Sequence, residues 1–138
     1  MPAPRLVLAS RSPQRRAILE QVGVAFDVVV PDVEELTAGD PERVVVENAL
    51  RKARAVGAPL TLGCDTEVVG DGRVYGKPAD ADEAERFLRE LSGRAHTVVS
   101  GLALVEDGRE RTAVCATTVA FRDIDEPTLR WYLDSGEW

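Results

Sequence analysis

The sequence contains few of the residues that commonly ligate soft metals or act as nucleophiles. It has two cysteines and one histidine in 138 residues. Cys64 and Cys115 lack the spacing of a metal site, and a single histidine, His96, does not support a histidine metal cluster or a Ser-His-Asp relay with a spare ligand. We therefore assign His96 no catalytic role and interpret Cys64 as a small buried residue.

Long apolar runs and an excess of positive charge are also missing. No apolar stretch approaches the roughly 20 residues that a membrane-spanning helix needs, so we expect no membrane association. The net charge of −7 argues against binding a nucleic-acid polymer, because few surplus cations are available to neutralise its phosphates. A local basic pocket for a small anion remains compatible with this charge. No signal-peptide pattern is recognised, so we expect reduced thiols and a cytoplasmic location.

Capping and turn residues divide the chain into alternating strands and helices. We predict strands over residues 5–9, 25–30, 60–69, 73–75, 97–105 and 112–121, and helices over residues 12–23, 40–57, 84–93 and 125–136. The stripes predicted to face the core are Ile18, Leu19 and Val22 in the first helix, Val46, Ala49, Leu50 and Ala53 in the second, and Ala84, Phe87, Leu88 and Leu91 in the third. The pattern predicts one α/β domain over residues 1–138 with a mixed sheet.

Asp65 is the most informative residue, because it interrupts an otherwise apolar predicted strand. A carboxylate there loses hydration, so it needs a cation, a metal or several hydrogen-bond donors beside it. One hypothesis is therefore a site where an acid faces a magnesium–polyphosphate complex. The alternative is a structural aspartate that caps a turn or pairs with one arginine.

Basic and hydroxyl side chains that suit phosphate occur in separate segments. Ser10 and Ser12 join a strand to a helix N-terminus, where free backbone N–H groups attract anions. Arg15 shares the predicted inward face of that helix, whereas Arg16 is rotated by about 100° and should be solvated. Lys52 lies beside a buried stripe and Lys77 lies between Gly76 and Pro78 in a stiff turn. Lys52 alone is most often a surface charge, whereas a stiff turn is a costly place for a lysine that is only solvated.

The acidic loop with Glu34 and Glu35 is a candidate for a hard cation, although such loops are more often only solvated.

Together these segments resemble the Maf family, which is named for septum formation and consists of nucleoside triphosphate pyrophosphatases. The matching stretches follow the family's order and spacing over nearly the whole chain. They are Leu8-Ala9-Ser10-Arg11-Ser12-Pro13, Glu35, Lys52-Ala53, Cys64-Asp65-Thr66, Gly76-Lys77-Pro78 and Leu91-Ser92-Gly93-Arg94. The resemblance implies an α/β fold related to inosine triphosphate pyrophosphatases, with a mixed twisted sheet flanked by helices, two lobes with a cleft, and frequent homodimers.

The same resemblance implies an activity and a role for each matching residue. The family splits a nucleoside triphosphate into monophosphate and pyrophosphate with magnesium, manganese or cobalt, removing non-standard or surplus nucleotides. Asp65 would activate water and bind the metal with Glu35. Lys52 and Lys77 would bind the triphosphate and take part in catalysis. The substrate would also contact Ser10, Ser12, Arg15 and Thr66.

Two features leave the substrate open. Thr66 resembles the branch that acts on dTTP and UTP, whereas the Gln14-Arg15-Arg16 arrangement resembles the branch that acts on 7-methyl-GTP. The family also continues beyond the position equivalent to Trp138, through a glycine-rich segment and a glutamine. Because an aromatic residue after a helix normally packs against following chain, we expect the sequence to be truncated there.

Two other functions stay open at this point: a nucleotide-binding interaction protein that restrains cell division without turnover, and a phosphatase that releases single phosphates.

Overall fold

A computed structural model describes residues 4–138 and has a mixed α/β architecture. The elements, in chain order, are β1 (Leu6–Ala9), α1 (Pro13–Val22), β2 (Phe26–Val29), α2 (Pro41–Val56), β3 (Leu60–Gly70), β4 (Arg73–Tyr75), α3 (Ala81–Leu91), β5 (Ala95–Glu106), β6 (Arg109–Ala120) and α4 (Glu126–Ser135). Within residues 4–138, no helix combines the length and apolar character that crossing a membrane requires.

One six-stranded sheet has the order β2-β1-β3-β5-β6, and β4 pairs with β3 outside this path. β1 is parallel to both β2 and β3, whereas β3 and β4 form the antiparallel hairpin that Asp71-Gly72 predicts. The predicted fold class, a mixed sheet with helices, is therefore confirmed.

The chain divides into two compact units. The first contains the described residues up to Thr66 together with Ser100–Cys115, and the second contains Glu67–Val99 together with Ala116–Trp138. The first unit holds β1, α1, β2, α2 and the first half of β3. In the second unit, α3 buries Ala84 and Leu91 of its predicted stripe, whereas Phe87 and Leu88 are half-buried.

Local signals place the ends of α1, α2 and α4 correctly, whereas α3 begins at Ala81, after the Asp80 cap, and not at the predicted residue 84. Ser12, Asp40 and Asp125 each accept a hydrogen bond from the backbone N–H three residues later, and a proline follows within the first two helical positions. α1, α2 and α4 end at glycines with positive φ, which are Gly23, Gly57 and Gly136, whereas α3 ends at Ser92.

The predicted buried stripe of α1 is wrong. Ile18 is 56% exposed and Val22 is 67% exposed, and α1 has no buried residue. Periodicity shows which side chains share a helix face, but it does not show that another element covers that face.

The predicted stripe of α2 is half right: Ala49 and Ala53 are buried, but the buried face is rotated away from its other two members. Val46 and Leu50 are only half-buried, whereas Val45, Asn48 and Lys52 are buried. The physical reason is the surface beneath the helix. Two glycines of the sheet allow close approach of the helix on that side. Asn48 and Lys52 lie on the same side and bond Asp65 of the adjacent strand.

These glycines bring the backbone of α2 against the sheet. A Cβ atom at Gly63 would overlap the carbonyl oxygen of Ala49, and one at Gly101 would lie 2.5 Å from the carbonyl of Val45. No side-chain layer therefore separates α2 from β3 and β5 at these points. The contact fixes the position of α2 relative to the strand that carries Asp65.

Gly63→Ala should therefore lower the free energy of unfolding by at least about 2 kcal/mol, because either the helix or the strand must shift. Gly76→Ala is a suitable control, since its added Cβ meets no described atom within 4 Å. We expect the control to change stability by less than about 0.5 kcal/mol. Urea unfolding followed by circular dichroism measures both. Equal stability of the two variants would contradict the backbone contact.

Candidate active site

β1 and β2 end together at one edge of the sheet, beside the first half of β3, which continues to Gly70. Ala9, the last residue of β1, is in register with Val29 of β2 and with Gly63 of β3. The segment from Ser10 follows β1, residues 30–40 follow β2, and Asp65 lies two positions beyond Gly63. Open α/β sheets commonly bind ligands at this edge, since loops and helix N-termini meet there.

Lys52 joins two acidic side chains at this edge. Its Nζ lies 2.8 Å from Oε1 of Glu35 and 3.4 Å from Oδ1 of Asp65. It also donates to the carbonyl oxygen of Cys64 at 3.0 Å. Asp65 is 6% exposed and Lys52 is 9% exposed, so each supplies the buried partner that the other needs.

Asn48 also contacts Asp65, and the sequence reasoning missed it. Its Nδ2 donates to Oδ2 of Asp65 at 2.9 Å, and its amide makes two further bonds to the backbone of Leu36. The available signal was its position four residues before Lys52, since residues at that spacing share a helix face.

Arg15 reaches from α1 towards β3. Its Nη1 donates to Oγ of Ser10 at 3.4 Å, and its Nη2 donates to Oγ1 of Thr66 at 3.2 Å. The Thr66 hydroxyl also shares a hydrogen bond of 3.2 Å with the hydroxyl of Ser100. The guanidinium of Arg15 and the hydroxyls of Ser10, Thr66 and Ser100 therefore lie together. Ser100 is the one member of this group that was not predicted.

The N-terminus of α1 presents further groups that suit an anion. The Ser12 hydroxyl accepts from the Arg15 backbone at 3.3 Å and donates to Oε1 of Gln14 at 3.1 Å. Arg16 is exposed and pairs with Glu20 at 3.5 Å, which confirms that it lies on the solvated face. The helix start therefore offers oriented N–H groups and one inward arginine.

A cavity of about 360 Å³ lies beside these residues. Its lining includes Ser10, Arg11, Ser12, Arg15, Glu35 and Lys52. A larger cavity, about 720 Å³, lies along the first half of α2, but Lys52, Arg15 and the serines do not line it. We place the candidate site at the smaller cavity, because it contains the basic and hydroxyl groups. Asp65 does not line this cavity, but it forms an ion pair with Lys52, which does.

Lys77 belongs to the second compact unit, where it is exposed in the segment between β4 and α3. Its part in the site stays a prediction.

Burial raises the pKa of the Cys64 thiol, although Arg15 and Lys52 partly oppose this effect. A raised pKa keeps the sulfur protonated and therefore weakly nucleophilic. The interpretation of Cys64 as a packed, unreactive residue agrees with this direction.

The acidic residues also suit a hard cation that arrives with a phosphate. Among residues 4–138 there is no group of three or more side chains arranged to hold a metal alone. However, Glu35 and Asp65 lie close enough to share one ammonium group. Magnesium is typically bound by one or two carboxylates, with phosphate oxygens and water completing its coordination. The donor set therefore fits a substrate-bound divalent cation.

Comparison with known proteins identifies the family. The model of the Maf family, described as "Maf-like protein", matches residues 5–138. The chain belongs to the Maf family. The predicted family membership is confirmed, and the matched segment includes every residue of the candidate site.

The Maf relatives include several proteins named "dTTP/UTP pyrophosphatase". The one from Symbiobacterium thermophilum is 47% identical over 139 residues, covering 96% of this chain and 72% of the relative. That from Anaeromyxobacter dehalogenans is 46% identical, covering 98% and 73%. That from Thermotoga maritima is 40% identical, covering 94% and 67%. The relatives are thus named as nucleotide-hydrolysing enzymes.

Proposed function

We propose that this chain is a nucleoside triphosphate pyrophosphatase that prefers dTTP and UTP and releases pyrophosphate and the corresponding monophosphate. The observation that carries the proposal is the Lys52 ammonium between Glu35 and Asp65, beside a cavity lined by Arg15 and serine hydroxyls. The names of the Maf relatives support the activity and the two substrates.

The charged groups divide the chemistry between them. Asp65 would accept a proton from the attacking water, with one carboxylate oxygen near Lys52 and the other bonded to Asn48. As the water oxygen bonds to the α-phosphorus, the bond from that phosphorus to the oxygen bridging the α- and β-phosphates breaks, and this oxygen leaves with pyrophosphate. Lys52 and Arg15 would stabilise the negative charge on the phosphate oxygens, because they are already in place before the reaction.

Glu35 and Asp65 would hold a magnesium, manganese or cobalt ion, which supplies Lewis-acid stabilisation of phosphate oxygens when bound. Two carboxylates beside a basic pocket are the arrangement that supports this assignment.

The finer predictions complete the proposal. Lys77 would contribute a further phosphate contact, and the protein would be a cytoplasmic house-cleaning enzyme that forms a homodimer. Thr66, whose hydroxyl contacts Arg15 and Ser100, favours dTTP and UTP through the resemblance, and the names of the relatives support the same choice. Gln14 favours 7-methyl-GTP only through the resemblance, since its side chain bonds Ser12 on the exposed first turn of α1.

A nucleotide panel with product analysis tests the function. We expect dTTP and UTP to be cleaved with kcat/KM at least about tenfold above that of 7-methyl-GTP, a difference of roughly 1.4 kcal/mol. Anion-exchange chromatography should show monophosphate and pyrophosphate in equal amounts from the earliest times.

The other outcomes separate the competing functions. Early inorganic phosphate with a diphosphate product would indicate a phosphatase. Binding of nucleotide without any product would indicate a nucleotide-dependent interaction protein. Preferred cleavage of 7-methyl-GTP would retain the reaction and overturn the substrate assignment.

A further inference from the structure

Asn48 is fully buried, and all of its donor groups are used. Its Oδ1 accepts from the backbone N–H of Leu36 at 2.7 Å, while its Nδ2 donates to the Leu36 carbonyl at 3.0 Å and to Oδ2 of Asp65 at 2.9 Å. The N–H of Leu36 can only donate, so the amide has one satisfactory orientation. That orientation directs an N–H group at Asp65.

This one side chain therefore connects the two acid-bearing segments. Leu36 follows Glu35 directly, so the bonds to Leu36 hold the backbone next to that carboxylate. The Glu35 side chain is 45% exposed and forms an ion pair with Lys52. Its direction depends on the backbone that carries it. Asn48 fixes that backbone and Asp65 together.

We propose that Asn48 is a positioning residue that orients the Asp65 carboxylate and holds Glu35 in register with it. The proposal rests on the pyrophosphatase function proposed above, in which these two acids act on the same phosphate complex. Asn48 would not touch the substrate. It would set the distance and direction between two groups that do, and small displacements of such groups reduce rates strongly.

A comparison with Thr61 distinguishes this role from the ordinary hydrogen bonding of a buried polar side chain. Thr61 is also fully buried, but its hydroxyl donates only to the carbonyl of Ala58, three residues earlier, at 3.1 Å. That bond closes a local turn. Asn48 instead bonds a loop 12 positions earlier and a strand 17 positions later. Burying an amide costs free energy that an aliphatic residue would avoid. The three long-range bonds of Asn48 therefore indicate a role beyond filling space.

Asn48→Leu tests the proposal by removing all three bonds at similar volume. We expect kcat for dTTP to fall at least about tenfold, while the dissociation constant of a non-hydrolysable dTTP analogue changes by less than about threefold. Thr61→Val is the matched control: it removes a buried hydroxyl of the same unit and should leave kcat within about twofold. Equal losses of kcat in the two variants, or a loss confined to binding, would overturn the proposal.

Asn48→Asp distinguishes the bonds that Asn48 makes to Leu36 from the bond that it makes to Asp65. It keeps an oxygen for the Leu36 N–H but places a carboxylate against the carboxylate of Asp65. If orientation of Asp65 matters, kcat should fall at least as far as in Asn48→Leu. A smaller loss than in Asn48→Leu would mean that Asn48 only pins the loop, which contradicts the proposed role towards Asp65.

Hydrogen exchange gives a readout that needs no turnover. The Leu36 amide should be protected in the wild-type chain and should exchange at least about tenfold faster in Asn48→Leu, measured by NMR, with little change in Thr61→Val. An unprotected Leu36 amide in the wild type would overturn the proposed role of Asn48, even if a variant fails to fold. Absence of pyrophosphate release by the wild type, with a protected Leu36, would instead refute the proposed function on which the inference depends.

Discussion

Asp65→Asn should reduce turnover by roughly 10²–10⁴-fold while nucleotide binding survives or tightens. The carboxylate is the proposed proton acceptor, and its replacement also removes a negative charge close to the incoming phosphates. The amide is nearly the same size, so the strand should keep its packing. Steady-state kinetics with dTTP gives kcat, and titration with a non-hydrolysable analogue gives the dissociation constant.

Asp27→Asn makes the same chemical change in the same unit, away from the site. Asp27 is exposed on β2 and pairs with Arg5 at 3.0 Å. Turnover of this control should match the wild type. Near-normal turnover in Asp65→Asn would remove Asp65 from the mechanism, and weaker binding would contradict the charge argument.

Lys52→Met should reduce kcat/KM at least about tenfold and also lower the free energy of unfolding by about 3 kcal/mol. The methionine fills similar space but leaves Asp65 buried without its cation and places no ammonium beside the phosphates. The change should therefore affect both stability and catalysis. Urea unfolding and pyrophosphate release from dTTP measure the two effects separately.

Arg54→Met is the corresponding control on the same helix. Arg54 makes two bonds of 2.7 Å to the carboxylate of Glu110, and both side chains are partly exposed. Exposed pairs typically contribute less than about 1 kcal/mol, so this variant should be nearly as stable as the wild type and fully active. If Arg54→Met loses as much kcat/KM as Lys52→Met, the effect reflects net charge and not the position of Lys52.

The starts and ends of α1, α2 and α4 were predictable from the sequence because their causes are local. Ser12 and Asp40 each bond a backbone N–H three residues away, and the proline that follows has a suitable φ for a first helical turn. No distant residue is needed to recognise these signals. The same holds for the glycines that close α1 and α2 with positive φ.

The buried face of α2 was not predictable in this way. Val46 and Leu50 are more apolar than Asn48 and Lys52, so a hydrophobic pattern alone directs the wrong pair inwards. The observed rotation depends on Gly63 in a later strand, whose missing side chain admits the helix on that side. A polar residue on a helix also resembles a solvent-exposed one until its partners are known.

The residues of the candidate site were predicted largely from the order of the motifs along the chain, which matches that of the Maf family. Arg15 and Thr66 are separated by 51 positions, yet their side chains are hydrogen-bonded. No spacing rule within the sequence gives that pair. The resemblance to the Maf family did bring Ser10, Arg15, Lys52 and Asp65 into one hypothesis. It did not include Asn48, whose partners are a backbone and another acid.

The direct contact between α2 and the sheet has a consequence for how this site can change. Two backbones in hard contact at Gly63 and Gly101 leave no compressible layer, so α2 has little freedom to slide or turn. Lys52 and Asn48 are therefore mounted on a rigid support. Attempts to retarget the protein to another nucleotide should accordingly vary residues 30–34 and 37–40, which have no regular secondary structure, and leave Glu35, Leu36 and the helix untouched.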